Sequence, residues 1–377
     1  MPTTFREEYA LDPTVSQRVA VAMSGGVDSS VVAAWLVDRG FEVVGLTMRL
    51  WAGAETSATV ATSGRSCCGG DEVDDARRVA QTLGIPFYTV DLQKQFSHGV
   101  VAPFLDAYAN GQTPNPCIAC NEILKFRHLL DQAGSIGAAF LATGHYAVLK
   151  FPLDQPPQLF RGHDPRKDQS YFLATTPLTV LSRIRFPLGT LSKEETRRLA
   201  RKWGLHLAEK RESQDVCFVP DGDYGSFFRR QGLPDRPGPI RGLDGALLGR
   251  HQGVHGYTIG QRRGLGISAR HPLFVVAIDA ENNELIVGPE AALYAATASV
   301  RRINWLVDPI HASRSVQVKI RYSATPVPAR LEPGSQSDSV LVHFQQPQRA
   351  ITPGQACVFH DGSRVLGGGW IDASVHR

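Results

Sequence analysis

"RVAVAMSGGVDSSVVAAWLVDRG", residues 18–40, decides the fold. An apolar run of strand length, 18–23, gives way to two glycines among a row of hydroxyls. Apolar residues then recur at helical spacing until Gly40, a helix stop. A strand, a glycine turn and a helix in direct succession open a β-α-β unit. The pattern repeats along the chain. "FEVVGLTMRLW" (41–51) reads as a second strand, "DEVDDARRVAQTLG" (71–84) as an amphipathic helix and "IPFYTVDL" (85–92) as a third strand. Residues 94–109 read as a helix, "TPNPCIACN" (113–121) as a proline-bearing loop, and "NEILKFRHLLDQAG" (121–134) as the helix it leads into. "AAFLATG" (138–144) is another buried strand. Strands alternating with helices predict an α/β fold with an open, doubly wound parallel sheet.

The texture then changes. "SKEETRRLARKWG" (192–204) is a helix with Ser192 and Glu195 in capping-box spacing and Gly204 as its stop. Beyond about residue 211 glycine and proline rise, with short β-like runs such as "LFVVAID" and "ELIVG". The last 90 or so residues alternate apolar and polar side chains, as in "VQVKIRYSA", "SVLVHFQQ" and "ACVFHDG", which predicts a small antiparallel β-barrel. The expected division is therefore 1–211, the α/β domain; 212–288, a small central domain; and 289–377, the barrel. A chain of 377 residues, 42% hydrophobic, suits two or three such cores.

Composition excludes some classes. No stretch of about 18 apolar residues occurs, and the first residues carry Glu7, Glu8 and Asp12 instead of an apolar core. The expectation is a cytoplasmic protein without a membrane partner. Thiols stay reduced there, so six cysteines point to chemistry or metal more than to structural disulfides. A net charge of +4 is compatible with a nucleic-acid partner and does not demand one.

The turn "SGGVDSS" (24–30) can hold an anion: glycines allow close approach, and helix amides and serine hydroxyls donate. It lacks the lysine of a Walker loop. It resembles the pyrophosphate loop of the ATP-pyrophosphatase class, which adenylates a carbonyl oxygen and releases pyrophosphate. The resemblance implies ATP and Mg²⁺ as cofactors, with Asp28 helping to place the metal.

Further strings sharpen the likeness. "LTMRLW", "CCG…D", "TPNPCIACN", "ATGHYA", "KDQSYFL", "SQDVCFV", "HQGVHGYTIGQRRGLGIS" and "IRYSA" occur in that order from about residue 19 to 370. Together they resemble the tRNA-specific 2-thiouridylases, which replace the 2-oxygen of the wobble uridine by sulfur. The implied chemistry is adenylation of that oxygen, which makes AMP the leaving group, followed by sulfur attack at the same carbon. The likeness implies that Cys217 carries a persulfide. It implies that Cys120 is the second catalytic thiol, forming a transient disulfide with Cys217 in each turnover. It places ATP against Ala22, Met23, Ser24, Gly25, Gly26, Val27, Asp28, Ser29, Met48 and Gly144. It places tRNA against Asn115, Pro116, Cys117, His145, Lys167, Asp168, Gln169, Arg321, Tyr322 and Gln355. A persulfide donor, either a cysteine desulfurase or a sulfur carrier protein, is the other implied partner.

One position departs from the family. Cys117 stands where family members carry an aspartate proposed as acid/base, and a thiol is a poor substitute near neutral pH. Asp215 is a weak stand-in. The change also leaves Cys117, Cys120 and Cys217 as a candidate ligand set for zinc or an iron–sulfur cluster. The adjacent Cys67 and Cys68 are expected to be reduced, and Cys357 to lie in the barrel core. The rival readings are another adenylating enzyme such as an amidotransferase-type synthetase, and a non-catalytic nucleotide- and RNA-binding or cluster protein.

Overall fold

The computed structural model describes residues 17–51, 70–210, 216–219 and 222–375. Cys67, Cys68 and Asp215, on which expectations were placed, lie outside these. Among the described residues the chain forms two compact units. The first takes residues 17–100, 117–222 and 363–365, and the second takes 101–116, 223–362 and 366–375.

The first unit is built on a five-stranded parallel sheet in the order β3-β2-β1-β4-β7. Its strands are β1 (Arg18–Ala22), β2 (Glu42–Arg49), β3 (Phe87–Asp91), β4 (Phe140–Ala142) and β7 (Ile184–Arg185); the unit also holds an antiparallel hairpin of β5 (Ala147–Lys150) and β6 (Gln158–Arg161), in which Phe160 pairs with Arg364. Helix α1 (Val27–Asp38) follows β1, and α2 (Gly70–Leu83) follows β2. Strand order reverses between β1 and β4, the switch point where open α/β sheets bind ligands at their carboxyl ends.

Helix α1 is buried on nearly every face, from Val27 and Val31 to Ala34 and Leu36. A helix apolar all round belongs inside a core. It packs against α2 and against a later helix, Lys193–Lys202, with Val19, Val21, Ala76, Val79, Ala200 and Leu205 sharing one cluster.

The segment after β3 is helical throughout, as expected, with a change of winding inside it. It runs as α3 (Gln93–Phe96), a π-helical turn (Ser97–Val101) and α4 (Ala102–Ala109), whose residues belong to the second unit. "TPNPCIACN" departs from the expected loop. It is a loop only to Asn115. Pro116–Ala119 form a helical turn, α5, that runs on into a π-helical stretch Cys120–Leu129 and then α6 (Leu130–Ser135). Proline suits the first turn of a helix, where its missing N–H is not needed, so two prolines did not keep this segment open. A short α7 (Leu178–Leu181) precedes β7, and α8 (Lys193–Lys202) follows. The predicted capping box is present: Ser192 accepts from the Glu195 amide, and Glu195 accepts from the Ser192 amide.

In the second unit, α9 (Tyr224–Arg230) meets α4 through stacked and tilted rings of Phe104, Tyr108, Tyr224 and Phe228. A four-stranded sheet in the order β10-β11-β8-β9 is made from β8 (Gly238–Gly242), β9 (Leu247–His251), β10 (Phe274–Asp279) and β11 (Glu284–Gly288). Next comes the antiparallel barrel, running β12 (Tyr294–Trp305), β15 (Val340–Arg349), β14 (Val327–Pro333), β13 (Arg314–Lys319), β16 (Ala356–Asp361) and β17 (Arg364–Val375). It is closed by pairing of β12 with β17, which removes the exposed edges of an open sheet. Cys357 sits with Val300, Val342 and Phe359 in its core, as expected.

Candidate active site

The sequence Ser24-Gly25-Gly26 turns the chain from β1 into α1. The Met23 amide still bonds to Leu46 O at 2.8 Å, so the strand ladder holds up to the turn. Gly25 then takes φ +68°, and a Cβ there would lie 2.8 Å from Glu72 Cα, which no side chain tolerates. The Ser29 and Ser30 hydroxyls donate back to Gly26 O at 3.2 and 2.9 Å, and the Ser24 amide donates to Ser29 Oγ at 3.1 Å. These hydroxyls therefore shape the loop, while Ser24 itself is exposed. No side chain caps α1 at Gly26, which leaves the amides of its first turn to an incoming anion.

Gly144, just beyond β4, comes against this same turn. A Cβ on it would lie 2.9 Å from the Ser29 amide nitrogen and 3.0 Å from Asp28 Cβ. The expected loop and the expected second contact are thus brought together at the switch point, with Ala22, Met23, Val27 and Asp28 around them. The cradle is one that side chains at Gly25 or Gly144 would fill, and one carboxylate beside it suits Mg²⁺ held jointly with phosphates. Met48 is buried on β2, paired in register with Val90.

Asp28 has partners that the sequence did not announce. Lys193 Nζ donates to Asp28 Oδ1 and Oδ2 at 2.7 and 2.8 Å, and the Tyr146 hydroxyl donates to Oδ1 at 2.8 Å. Tyr146 also stands 2.9 Å from Thr196 Oγ1. Lys210 Nζ donates to the Gly25 carbonyl at 3.0 Å and to Asp75 Oδ2 at 2.7 Å. Partial burial pushes the Asp75 carboxyl up, yet Lys210 and His206 together hold it below the usual aspartate range. The phosphate loop is thus fastened from α8 and from residue 210, well over a hundred residues away. The only sequence signal was the capping box that starts α8 one residue before Lys193.

His145 follows Gly144. Its Nδ1 lies 2.7 Å from Thr143 Oγ1, and its ring sits among Phe126 and Phe186 at 5.9 and 5.6 Å. Burial first, and the Lys125 ammonium second, hold its pKa well below the ordinary histidine value, so the imidazole is neutral at pH 7.

Cys117 is exposed on α5, while Cys120 opens the π-helical stretch half-buried. Three residues apart on a helix, they share a face. Asn121, buried beside them, anchors the helix: its Nδ2 donates to Phe172 O at 3.2 Å and its Oδ1 accepts from Lys125 Nζ at 2.9 Å. Cys217 is half-buried, and its neighbour Phe218 meets Phe96 of α3 edge-on at 5.5 Å. Helix α3 also packs on the Cys120–Leu129 stretch. Both cysteine-bearing segments therefore border the same short helix. The cluster alternative is not supported. Among the described residues no group of three or more His, Cys, Asp or Glu side chains could hold a metal ion, and that includes Cys117, Cys120 and Cys217. A C-x-x-C pair on one helical turn lacks the second pair of donors that closes such a site.

The expected RNA contacts divide. Asp168 is buried and turned inward. Its carboxylate accepts from the Gly162 and Ser170 amides at 3.0 and 3.1 Å and from Arg161 Nε at 3.0 Å. Burial raises its pKa, but these bonds outweigh that and hold it low. Gln169 pairs with the Tyr146 backbone in both directions, at 2.8 and 3.0 Å, and Lys167 is half-buried next to it. In the second unit, Asn115 is half-buried and Pro116 buried. Arg321 donates to the Arg349 and Ala350 carbonyls, Tyr322 is exposed, and Gln355 Nε2 donates to Thr113 O at 2.7 Å. Among the described residues no helix is long and apolar enough to cross a membrane.

Family models match the chain in three consecutive blocks: a tRNA methyl transferase HUP domain over residues 17–221, a tRNA methyl transferase PRC-barrel domain over 226–289, and an aminomethyltransferase β-barrel domain over 296–371. Among curated proteins, the tRNA-specific 2-thiouridylase MnmA of Magnetococcus marinus is 55% identical over 95% of this chain and 99% of its own length. Those of Geobacter metallireducens and Rickettsia felis are each 46% identical over 95% of this chain, covering 98% and 97% of theirs. With a phosphate loop at the switch point, two cysteine segments against one helix and identity sustained across nearly the whole length of both chains, this chain belongs to the tRNA-specific 2-thiouridylase family.

Proposed function

We propose that this chain is an ATP-dependent tRNA-uridine 2-sulfurtransferase. It adenylates the 2-oxygen of the wobble uridine and replaces it by sulfur, giving 2-thiouridine, AMP and pyrophosphate. The observation that carries the reading is the meeting of Gly144 with the Asp28–Ser29 turn. His145, the next residue, lies against Phe126 of the stretch that Cys120 opens, which supports an anion cradle working with that thiol-bearing helix. The family models speak of methyl transfer in their descriptions. Moving a methyl group needs neither a phosphate loop nor two cysteines, so the site favours sulfur.

The amides of Gly25 to Asp28 would hold the ATP phosphates, with Asp28 carrying Mg²⁺ and Lys193 released to a phosphate oxygen. Neutral His145 can donate or accept at the uridine without bringing a charge. Cys217 would carry the sulfur as a persulfide received from a donor protein. The Cys120 thiolate attacks Cys217 Sγ, a Cys120–Cys217 disulfide forms and hydrosulfide leaves. Hydrosulfide then adds at uridine C2 and AMP departs with the former 2-oxygen. A thiol reductant must reopen the disulfide before the next cycle.

Residues 1–211 would form the adenylating domain, 212–288 the linking domain and 289–377 the tRNA-contacting barrel. Asn115, Pro116, Cys117, Lys167, Gln169, Arg321, Tyr322 and Gln355 would face the RNA, with Asp168 holding its neighbours in place. The cytoplasm, where tRNA and ATP meet, is the expected compartment. Nucleoside mass spectrometry of tRNA from a deletion strain tests the reading. Loss of 2-thiouridine is expected, and unchanged 2-thiouridine with loss of a methylated nucleoside would overturn it.

A further inference from the structure

The barrel carries a cavity of about 390 Å³ lined by Arg301, Arg302, Gln336, Asp338, Trp370 and Asp372. None of these belongs to the adenylation site or to the contacts expected above. The cavity has three unusual features. The register between β12 and β17 shifts between Arg301 and Asn304, so the strand bulges there. Arg302, inside that bulge, takes φ +52°, a conformation that non-glycine residues adopt only at a cost. Its guanidinium lies 5.6 Å from the centroid of the Trp370 ring. Bulges re-aim side chains, and this one aims an arginine over an indole at a cavity wall.

The charges are mixed. Arg301 Nη2 is paired with Asp372 Oδ2 at 2.8 Å, which neutralises one carboxylate. Asp338 is exposed on a loop held to the bulge by a bond from the Ile303 amide to its carbonyl at 3.1 Å. A bare phosphate would meet carboxylates here and be poorly served. A flat heterocycle with donors on its edge is better matched, with an arginine–tryptophan platform for its face and a carboxylate for its N–H groups. Gly354, next to the expected tRNA contact Gln355, also lines the cavity, so RNA on that contact would pass close by.

We propose that this cavity is a second RNA subsite, which takes one unpaired nucleobase of the tRNA other than the target uridine. Guanine, whose N1–H and N2–H face a carboxylate, is the first choice. The proposal rests on the tRNA reading above. Stacking on aromatic and guanidinium planes, with edge contacts, is how single-stranded RNA bases are read. Losing one such contact should lower affinity about tenfold.

The test uses the full chain and an unmodified tRNA transcript at fixed salt, with filter binding, thiolation kinetics and thermal melting on each variant. Arg302→Gly removes the guanidinium while suiting the positive φ, so its melting temperature should hold or rise. Its Kd and KM for tRNA should rise about tenfold with kcat at saturating tRNA kept. Asp338→Asn should weaken tRNA binding in the same way and leave the KM for ATP unchanged. Unchanged tRNA affinity in both variants, with a wild type that binds and thiolates tRNA, overturns the subsite alone. A wild type that binds no tRNA overturns both this subsite and the function it rests on.

Discussion

Lys193 grips both carboxylate oxygens of Asp28, at 2.7 and 2.8 Å, from a position 165 residues further along the chain. The lysine is buried and the aspartate largely so, with side-chain exposures of 9% and 30%. Hydrogen bonds to charged groups contribute about 1.5–3 kcal/mol. Lys193→Met should therefore destabilise the first unit by about that amount, as should Asp28→Asn. The double variant should lose less than the two losses added, because the groups share one interaction. Denaturant melts of the four proteins check this, and strict additivity would refute the coupling. The same lysine variant should raise the KM for ATP in a pyrophosphate-release assay.

Two neighbouring glycines should behave very differently. Gly25 has φ +68° and no room for a Cβ beside Glu72, whereas Gly26 has φ −100° and only Ser24 Oγ nearby, at 3.5 Å. Gly25→Ala should cost more than about 2 kcal/mol, combining backbone strain with a clash against a main-chain group. Gly26→Ala should change stability by less than about 1 kcal/mol. Thermal melting of both separates them, and a Gly25→Ala protein as stable as wild type would contradict the loop geometry.

The strand–turn–helix of residues 18–40, the parallel sheet, the capping box of α8 and the barrel were all legible in the sequence, because each is written in local periodicity. Strand β7, only Ile184–Arg185, was not, since two residues carry no period. Nor could the sequence show that Lys193, Tyr146 and Lys210 secure the phosphate loop, because that depends on which distant elements the sheet order sets side by side. "TPNPCIACN" reads as a proline-bearing loop, yet Pro116 begins a helix, because proline is as compatible with a helix's first turn as with a loop and local composition cannot separate the two.

Histidine 145 should leave a mark on the pH dependence of stability. Burial and Lys125 keep its folded pKa below the unfolded value of about 6.5. Between those two values the unfolded chain binds the extra proton, so stability rises with pH and falls on acidification below about pH 6.5. His251 and His255 are depressed by burial as well and add to the same slope. His145→Asn should flatten part of the loss in melting temperature between about pH 7.5 and 5. An identical slope in wild type and variant would show that His145 is not held neutral.

Alkylation should rank the cysteines. Brief iodoacetamide treatment of the native, reduced protein, mapped by mass spectrometry, should label exposed Cys117 first and the half-buried Cys120 and Cys217 more slowly. Cys357 should stay unlabelled until denaturation, since its thiol is fully buried and burial pushes its pKa far up. Early labelling of Cys357 would mean that the barrel opens under native conditions.

Thiolation itself should separate the two thiols proposed for the sulfur path from their neighbour. Cys217→Ser and Cys120→Ser should each reduce 2-thiouridine formation by more than about 10³-fold while leaving ATP binding intact, as loss of a covalent nucleophile does. Retained turnover in either variant would remove that residue from the sulfur path. Cys117→Asp, which puts a carboxylate where the family resemblance leads one to expect it, should keep activity.

The π-helical stretch from Cys120 to Leu129 carries a residue more per closed turn than an α-helix would. Its two ends are therefore out of phase with each other. One end presents Cys120, and further along it seats Leu124, Phe126 and Leu129 in the core. Shortening the stretch by a single residue would let ordinary winding return and would swing one end round the helix axis relative to the other. The direction in which Cys120 points is thus set by a counting rule in the main chain, and an insertion or deletion there would act as a rotation without replacing any side chain at the site.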